Sequence, residues 1–212
     1  MRRPHAAPTG GTRATDAGFG SQSRVRGNTS ALPVMTPVAA RRGGETIRTA
    51  LVDCPFGRLL VGATDAGVCF VGFAEPDDAL LGDLRRRFPK AHIVPGEAAL
   101  ADSVDAILAF LREPNRPLDL PLDLRGTAFQ LRVWQALRRI PLGETRSYAE
   151  MARMIQAPTA IRAVARSCAA NPVSLAVPCH RVVGSAGALT GYRWGVRQKQ
   201  ALLDRERAAK GR

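Results

Sequence analysis

The stretch that decides the fold spans residues 171–183 and reads NPVSLAVPCHRVV. It is largely apolar until it reaches Pro178, Cys179, His180 and Arg181. Proline does not continue a helix and restricts the residue before it, so the chain enters the cysteine in a fixed way. A cysteine attacks as a thiolate, and nearby cations with a hydrogen-bonding base lower a thiol pKa. The residues therefore leave two interpretations, a reactive thiol or a small apolar residue that ends a buried strand.

Two short helices are predicted immediately before this stretch. Ser147 can cap a helix over Tyr148–Ile155, Ala157-Pro158 makes a turn, and a second helix covers Thr159–Ala170. Two helices joined by a tight turn in a basic segment resemble a helix-turn-helix. Any antiparallel helix pair shows the same pattern, so this signal is weak by itself.

Further towards the N-terminus, the pattern predicts one more helix and then a region rich in strands. Thr127 can cap a helix over Ala128–Arg139, which Pro141-Leu142-Gly143 ends. The predicted strands are Thr46–Cys54, Arg58–Ala63 and Val68–Phe73, and the predicted helices between them and Thr127 are Ala79–Phe88 and Ala98–Leu111. His92 is expected to be an exposed loop residue without a catalytic role. The fold class is therefore α+β.

The net charge of the chain lies mainly in its C-terminal half. Of 212 residues, 45% are hydrophobic and 23% charged, and the formal net charge is +13. Residues 45–121 carry 8 cations and 12 acids, whereas residues 122–212 carry 16 cations and 5 acids. This composition excludes a wholly disordered or fibrous chain and predicts a basic surface for an anionic partner. No apolar run of about 18 residues is present, so no membrane partner is expected.

Residues 1–44 are predicted to be a disordered basic tail. They hold seven Arg and one Asp among Gly, Ser, Thr, Ala and Pro, without a hydrophobic period. An organellar transit peptide, a linker remnant or a mis-assigned start would have the same composition.

The four cysteines form no Cys-x-x-Cys pair and have no regular spacing. A chain of this length does not need disulfides for stability, so a reducing compartment is expected. Cys54, Cys69 and Cys168 are expected to be buried small apolar residues.

Several motifs occur in a fixed order after residue 125. They are RGTAFQ at 125–130, IPLGETRSY at 140–148, PCHRVV at 178–183 and GYRWG at 191–195. Together they resemble the alkylguanine-DNA alkyltransferases, also called methylated-DNA-protein-cysteine methyltransferases, and most of all the C-terminal domain of the bacterial adaptive-response regulator. The resemblance covers roughly residues 41–207.

That resemblance implies two domains and one reaction. A ribonuclease-H-like strand and helix domain would cover residues 45–121, and a mainly helical domain with the helix-turn-helix and active-site loop would cover residues 122–212. The protein would act once, moving the alkyl group of O6-alkylguanine, and of O4-alkylthymine, in double-stranded DNA to a cysteine. It would need no cofactor, no metal and no protein partner, and would work as a monomer in the bacterial cytoplasm.

The resemblance also assigns roles to individual residues. Cys179 matches the acceptor, His180 the base that deprotonates it through a water, and Glu206 the carboxylate that orients the histidine. Asn171 matches the hinge before the active-site loop, and Tyr148 the hydroxyl that protonates the departing guanine. The alternatives are a solvated acid for Glu206, a core aromatic for Tyr148 and an ordinary helix end for Asn171.

DNA contact is assigned to the second helix of the pair. Arg162 matches the arginine that fills the stack after the target base is flipped out, and Thr159, Ala160 and Ala163 flank it. The small side chains would allow a close approach from the minor groove. A phosphate contact is the alternative for Arg162.

The substrate pocket is assigned to Tyr192, Arg193 and Trp194, together with Val182. A bulky pair at Arg193 and Trp194 implies a pocket that accepts methyl and excludes benzyl groups. The alternative for Trp194 is a core anchor. Residues 1–44 contain no cysteine, so the phosphotriester repair and gene regulation of the adaptive-response regulator are not implied. A lesion-binding protein, a helix-turn-helix repressor and a cysteine hydrolase are the other candidate functions.

Overall fold

The structure, a computed structural model, describes residues 34–37, 44–74 and 76–211. Strands and helices alternate in its N-terminal half, and helices dominate its C-terminal half, so the predicted α+β class is confirmed. The elements in chain order are β1 (Val34–Pro37), β2 (Thr46–Cys54), β3 (Gly57–Thr64), β4 (Gly67–Ala74), α1 (Asp77–Arg87), β5 (His92–Pro95), α2 (Glu97–Arg112), β6 (Asp123–Gly126), α3 (Ala128–Leu137), β7 (Arg146–Ser147), α4 (Tyr148–Met154), α5 (Ile161–Ala169), β8 (Val182–Val183) and α6 (Val196–Lys210).

A four-stranded sheet forms the N-terminal half of the described chain. Strands β2, β3 and β4 follow one another antiparallel, and β5 pairs in parallel with β2, which gives the order β4-β3-β2-β5. Gly57 opens β3 with a φ of 96°, a conformation that glycine tolerates in the tight turn after Cys54. Helix α1 packs on β3 and β4, and α2 packs on β2 and β3. The ribonuclease-H-like assignment and the boundary at residue 121 stay predictions.

His92 differs from its predicted setting. It is exposed as expected, but it begins β5 and pairs with Thr46 instead of lying in a loop. The backbone of β2 offers an open edge at this point, and pairing satisfies its hydrogen-bonding groups. That long-range partner is not visible in the local sequence around His92.

The free edge of β4 receives the stretch that ends in Pro178-Cys179. Val71 N donates to Pro172 O at 2.9 Å, and Ser174 N donates to Val71 O at 3.2 Å. Leu122 also bridges to Val68 on the same strand. The sheet thus positions the stretch over residues 171–183 through backbone hydrogen bonds.

Part of the predicted disordered tail is a strand. β1 pairs in parallel with β6, from Val34 opposite Asp123 to Pro37 opposite Gly126. The expectation of a structureless tail is therefore wrong for these residues, because the β6 edge provides backbone partners that the tail sequence does not reveal. The tail prediction for 1–33 and 38–43 lies outside the described residues.

The two predicted helix caps are confirmed. Thr127 Oγ1 accepts from Gln130 N at 3.2 Å, and Gln130 Oε1 accepts from Thr127 N at 2.8 Å. Ser147 and Glu150 make the same reciprocal pair at the start of α4. Each cap satisfies backbone donors that have no partner inside the helix. No helix in the described ranges combines the length and the apolar character of a membrane span.

Candidate active site

Residues 171–183 form a buried loop that Asn171 holds closed. Every residue of this stretch is buried. Asn171 Nδ2 donates to Val177 O at 2.7 Å and to Cys179 Sγ at 3.2 Å, and Asn171 Oδ1 accepts from Val173 N at 3.0 Å. Cys179 then opens a single 3-10 turn that ends at Arg181. The cysteine therefore does not end a strand, and Asn171 donates a hydrogen bond to its sulfur.

His180 and Glu206 form the next contact, although 26 positions separate them. His180 Nε2 lies 2.8 Å from Glu206 Oε1, and both side chains are almost fully buried. Burial lowers the pKa of His180, and the Glu206 hydrogen bond and charge oppose that shift. The imidazole is consequently neutral near pH 7. Its other nitrogen, Nδ1, is buried and takes no hydrogen bond within the described residues.

Arg181 is turned towards Glu206. Its Nε donates to Glu206 Oε2 and its Nη2 to Glu206 Oε1, both at 2.9 Å, while Nη1 donates to Ile140 O at 2.7 Å. Burial would raise the pKa of Glu206, but the hydrogen bonds from His180 and Arg181 and the Arg181 charge lower it to about 2. Glu206 is therefore a carboxylate at neutral pH, held by a guanidinium fork on one side and the imidazole on the other.

Lys199, and not Arg181, is the cation whose charge most opposes the raised pKa of the Cys179 thiol. Burial raises the pKa of Cys179, while the Asn171 hydrogen bond and the Lys199 charge oppose that shift. Lys199 is 0% exposed, and its Nζ donates to Val182 O at 2.5 Å, Thr190 O at 3.2 Å and Gly191 O at 3.4 Å. Arg181 is the cation nearest to Cys179 in sequence, but its guanidinium is bound by Glu206 and does not serve the thiol. The resting cysteine is a thiol that needs a base.

Cys179 borders an open cavity of about 480 Å³. Tyr148, Thr190, Tyr192 and Arg193 also line it, with Cys168 on the side of α5. Tyr148 Oη donates to Thr190 O at 3.4 Å, and burial raises the pKa of Tyr148. The volume lies within the range of small-molecule sites, which is about 300–1,000 Å³. A planar base therefore has room beside the thiol.

Helices α4 and α5 present a basic surface next to this cavity. Arg162 lies in the first turn of α5 and is exposed, and Arg153 and Arg166 are exposed on α4 and α5. Ile161 is 41% exposed although it is apolar. On the opposite face, Trp134 Nε1 donates to Ser167 O at 2.9 Å and fixes α5 against α3. Ala163 lies within α5, whereas Thr159 and Ala160 precede it, because the helix begins at Ile161 instead of the predicted Thr159.

Comparisons with known proteins agree with this geometry. Residues 128–208 match the family model described as 6-O-methylguanine DNA methyltransferase, DNA binding domain. The inducible methylated-DNA-protein-cysteine methyltransferase of Bacillus subtilis (strain 168) is 41% identical over 150 residues, which are 70% of this chain and 84% of that protein. The chain belongs to the methylated-DNA-protein-cysteine methyltransferase family. The resemblance seen in the sequence motifs is thereby confirmed.

Two further members of the family are similar over a larger part of this chain. The bifunctional transcriptional activator/DNA repair enzyme Ada of Escherichia coli (strain K12) is 45% identical over 193 residues, which are 90% of this chain and 54% of Ada. The chain thus spans about half the length of Ada. The crystal structure of Mycobacterium tuberculosis OGT in complex with DNA superposes with a TM-score of 0.61 at 38% identity, covering 77% of this chain and 94% of that one.

Two residues that the family motifs assign to the pocket lie elsewhere. Trp194 does not line the cavity: its Nε1 donates to Ser174 Oγ at 2.6 Å, and its ring packs edge-on against Phe70 and Phe73. An added Cβ at Gly72 would lie 2.5 Å from this indole. The placement of Trp194 in the pocket wall is therefore corrected to a core anchor, because the aromatic residues of β4 bury the indole.

Val182 is the other residue that does not line the cavity. Its side chain is 0% exposed, and its carbonyl oxygen accepts from Lys199. Sequence reasoning about the methyltransferase motifs missed the site contact of Lys199. The available signal was an apolar helix face that carries one of only three lysines in the chain.

Proposed function

We propose that this protein repairs DNA by moving the alkyl group of O6-alkylguanine, and of O4-alkylthymine, irreversibly to Cys179. One observation carries the proposal: Cys179 borders a base-sized cavity, accepts a hydrogen bond from Asn171, and is followed by a buried histidine held by Glu206. A cysteine in this setting has a base beside it and a carboxylate behind the base. Metal and cofactor play no part in the proposed displacement.

The first step is deprotonation of the thiol. The resting thiol keeps its proton because burial raises the pKa of Cys179. His180 Nδ1 is unpaired within the described residues and neutral, so it can receive that proton through one water. Glu206 stabilises the imidazolium that forms, and Arg181 keeps Glu206 ionised.

The second step forms the bond from Cys179 Sγ to the alkyl carbon and breaks the bond from that carbon to guanine O6. The electron pair of the broken bond stays on the guanine, and the Tyr148 hydroxyl donates a proton to a ring nitrogen. The His180 imidazolium, which took the proton of Cys179, then returns a proton through solvent to the Tyr148 phenolate, so that both side chains end neutral. Since the product is a thioether, the protein acts once.

The target base must leave the DNA duplex before it can reach the cavity, because the reacting atom lies inside the stack. Arg162 is exposed in the first turn of α5 and is suited to fill the gap that the base leaves. The M. tuberculosis OGT structure in complex with DNA supports DNA as the partner, since this chain is 38% identical to that protein.

The test is incubation with a duplex that carries one O6-methylguanine, followed by peptide mass spectrometry. The expected result is a mass gain of one CH2 group on the peptide that contains Cys179, at one equivalent and without turnover. A lesion-binding protein or a repressor gains no mass, and a hydrolase turns over repeatedly. Either of those results, or methylation of another residue, overturns the proposal.

A further inference from the structure

Asp83 on α1 is a buried carboxylate that reaches the substrate loop from the N-terminal half. Its side chain is 4% exposed. Arg193 Nε donates to Asp83 Oδ2 at 2.9 Å, and Arg193 Nη2 donates to Asp83 Oδ1. Arg193 also lines the cavity beside Cys179. One wall of the cavity is therefore tied to a helix 110 positions earlier in the chain.

The same carboxylate also reaches the end of α5 through Arg87. Arg87 Nε donates to Asp83 Oδ2 at 3.2 Å, and its Nη1 donates to Ala170 O at 2.7 Å. Ala170 is the C-cap of α5 and directly precedes Asn171, whose side chain donates to Cys179 Sγ. Helix α1 thus contacts both the substrate loop and the residue before the hinge.

The contacts of α1 with Arg193 and with the end of α5 depend on the negative charge of Asp83. Three guanidinium groups surround the one carboxylate, since Arg86 Nη2 also lies 3.3 Å from Asp83 Oδ1. Burial and the positive charge of Arg193 lower the pKa of Arg87. Without the carboxylate, Arg87 and Arg193 would face each other as uncompensated like charges, and the exposed loop would move away.

Trp194, which also anchors the loop, does not replace the contact between Asp83 and Arg193. Trp194 fixes the loop to Phe70 and Phe73 of β4, and the Arg193 guanidinium lies 5.6 Å from the Trp194 ring. The indole holds the backbone at position 194, whereas the side chain that lines the cavity belongs to Arg193. Only Asp83, among the acids of the described residues, is paired with Arg193.

We propose that Asp83 is a positioning residue that sets the width of the alkyl cavity, by holding two of its lining elements, Arg193 and, through Arg87, the end of α5. The role of the cavity in this inference rests on the proposed function. The size of the alkyl group that the cavity accepts would then depend on the ion pair between Asp83 and Arg193 instead of on the Trp194 ring.

The test compares two single-turnover rates in the full chain: methyl transfer from an O6-methylguanine duplex, and inactivation by free O6-benzylguanine. Asp83→Asn is expected to slow methyl transfer and to raise the benzyl-to-methyl rate ratio by about ten-fold, because a displaced wall widens the cavity and misplaces the base. Asp83→Glu keeps the charge and should return the ratio towards wild type. A folded Asp83→Asn variant with an unchanged ratio overturns the proposal.

Asp77→Asn is the matched control. Asp77 lies on the same helix and accepts from Arg58 at 2.9 Å, but it does not contact the loop. It should leave the ratio within about two-fold of wild type, as expected for a half-exposed ion pair. If Asp83→Asn does not fold, Arg193→Gln breaks the same contact from its more exposed side and must raise the ratio. An unchanged ratio in Arg193→Gln also overturns the proposal.

Backbone hydrogen exchange of residues 188–195 separates this inference from the proposed function. Protection should fall in Asp83→Asn and stay unchanged in Asp77→Asn, whether or not any alkyl group is transferred. Loss of protection in a protein that transfers no alkyl group would support the link while removing the proposed reaction. Unchanged protection in both variants overturns the link even if the wild type repairs DNA.

Discussion

Helix α5 and the loop that follows it are neighbours in sequence but opposite in environment. α5 exposes Arg162 and Arg166 to solvent, and even Ile161 is 41% exposed, whereas every residue from Asn171 to Val183 is buried. The contacts of α5 with a partner depend on its own side chains. The loop depends on Val71, Lys199 and Glu206, which come from distant parts of the chain. Single substitutions on the exposed face of α5 should therefore reduce alkyl transfer or DNA binding moderately, whereas single substitutions in the buried site should reduce alkyl transfer or stability strongly.

The largest effect is expected at the buried thiol. Cys179→Ser should abolish alkyl transfer, because an alcohol is a far poorer nucleophile near neutral pH, and should leave binding to methylated duplex DNA within a few-fold. Transfer is measured by peptide mass spectrometry, and binding by fluorescence anisotropy. Cys54→Ser, a half-buried cysteine of β2, is the control that keeps transfer. Residual transfer above about a tenth of the wild-type rate would place the acceptor at another cysteine.

The next effect concerns stability. Glu206→Gln should lower the free energy of unfolding by about 3–5 kcal/mol, because it leaves the Arg181 guanidinium buried without its carboxylate. Asp204→Asn, two positions earlier on α6, breaks an exposed pair with Arg207 and should cost less than about 1 kcal/mol. Urea denaturation at pH 7 measures both. A similar loss in the free energy of unfolding in the two variants would contradict the expectation that the buried pair contributes more than the exposed one.

The same pair predicts how acid acts on the protein. The folded pKa of Glu206 is about 2 against an ordinary value of 4.5, so its stabilising contribution is present above pH 4.5 and is lost as the pH falls towards 2. Burial lowers the pKa of His180, so the unfolded chain takes up a proton below about pH 6.5 that the folded chain refuses. Both groups make stability fall with acid, and Glu206→Gln should flatten the part below pH 4.5. If the free energy of unfolding of the variant fell with acid in parallel with that of the wild type below pH 4.5, the lowered pKa of Glu206 would be contradicted.

A smaller effect is expected on the exposed helix. Arg162→Ala should slow transfer from duplex DNA by about ten-fold or more and leave transfer from a free modified base unchanged, since only the duplex requires base flipping. Arg112→Ala, an exposed arginine of α2, is the control for general loss of charge. Single-turnover rates on the two substrates decide the outcome. Equal losses on both would mean that Arg162 supports the fold.

The smallest effect concerns the phosphate contacts. Binding should weaken steeply with salt, and Arg166→Ala should reduce the slope of log K against log salt concentration by about 0.9 if the arginine contacts one phosphate. Anisotropy titrations from low to moderate salt measure the slope. A flat response in the wild type would remove the basic surface of α4 and α5 from DNA docking.

The local sequence determined the features whose interactions reach only a few residues. The Thr127 and Ser147 caps, the helix pair α4 and α5, and the entry to Cys179 through Pro178 were all predicted from neighbouring residues. Caps and turns depend on side chains within about four positions, so the sequence contains all their partners. The family motifs added Glu206, which no local pattern links to His180.

Only the tertiary structure decided how the remaining side chains are turned. Arg181 lies two positions after Cys179 in the chain but faces Glu206, and Lys199, twenty positions after the cysteine, supplies the positive charge that opposes the raised pKa of the thiol. Trp194 belongs to a pocket motif but packs into the aromatic core at β4, and Asp83 gave no sequence signal for its contact with Arg193. Each orientation depends on which buried charges and rings lie within a few ångströms once the two halves of the chain pack together. Sequence spacing does not carry that information, because residues of equal chemistry compete for the same partners in three dimensions.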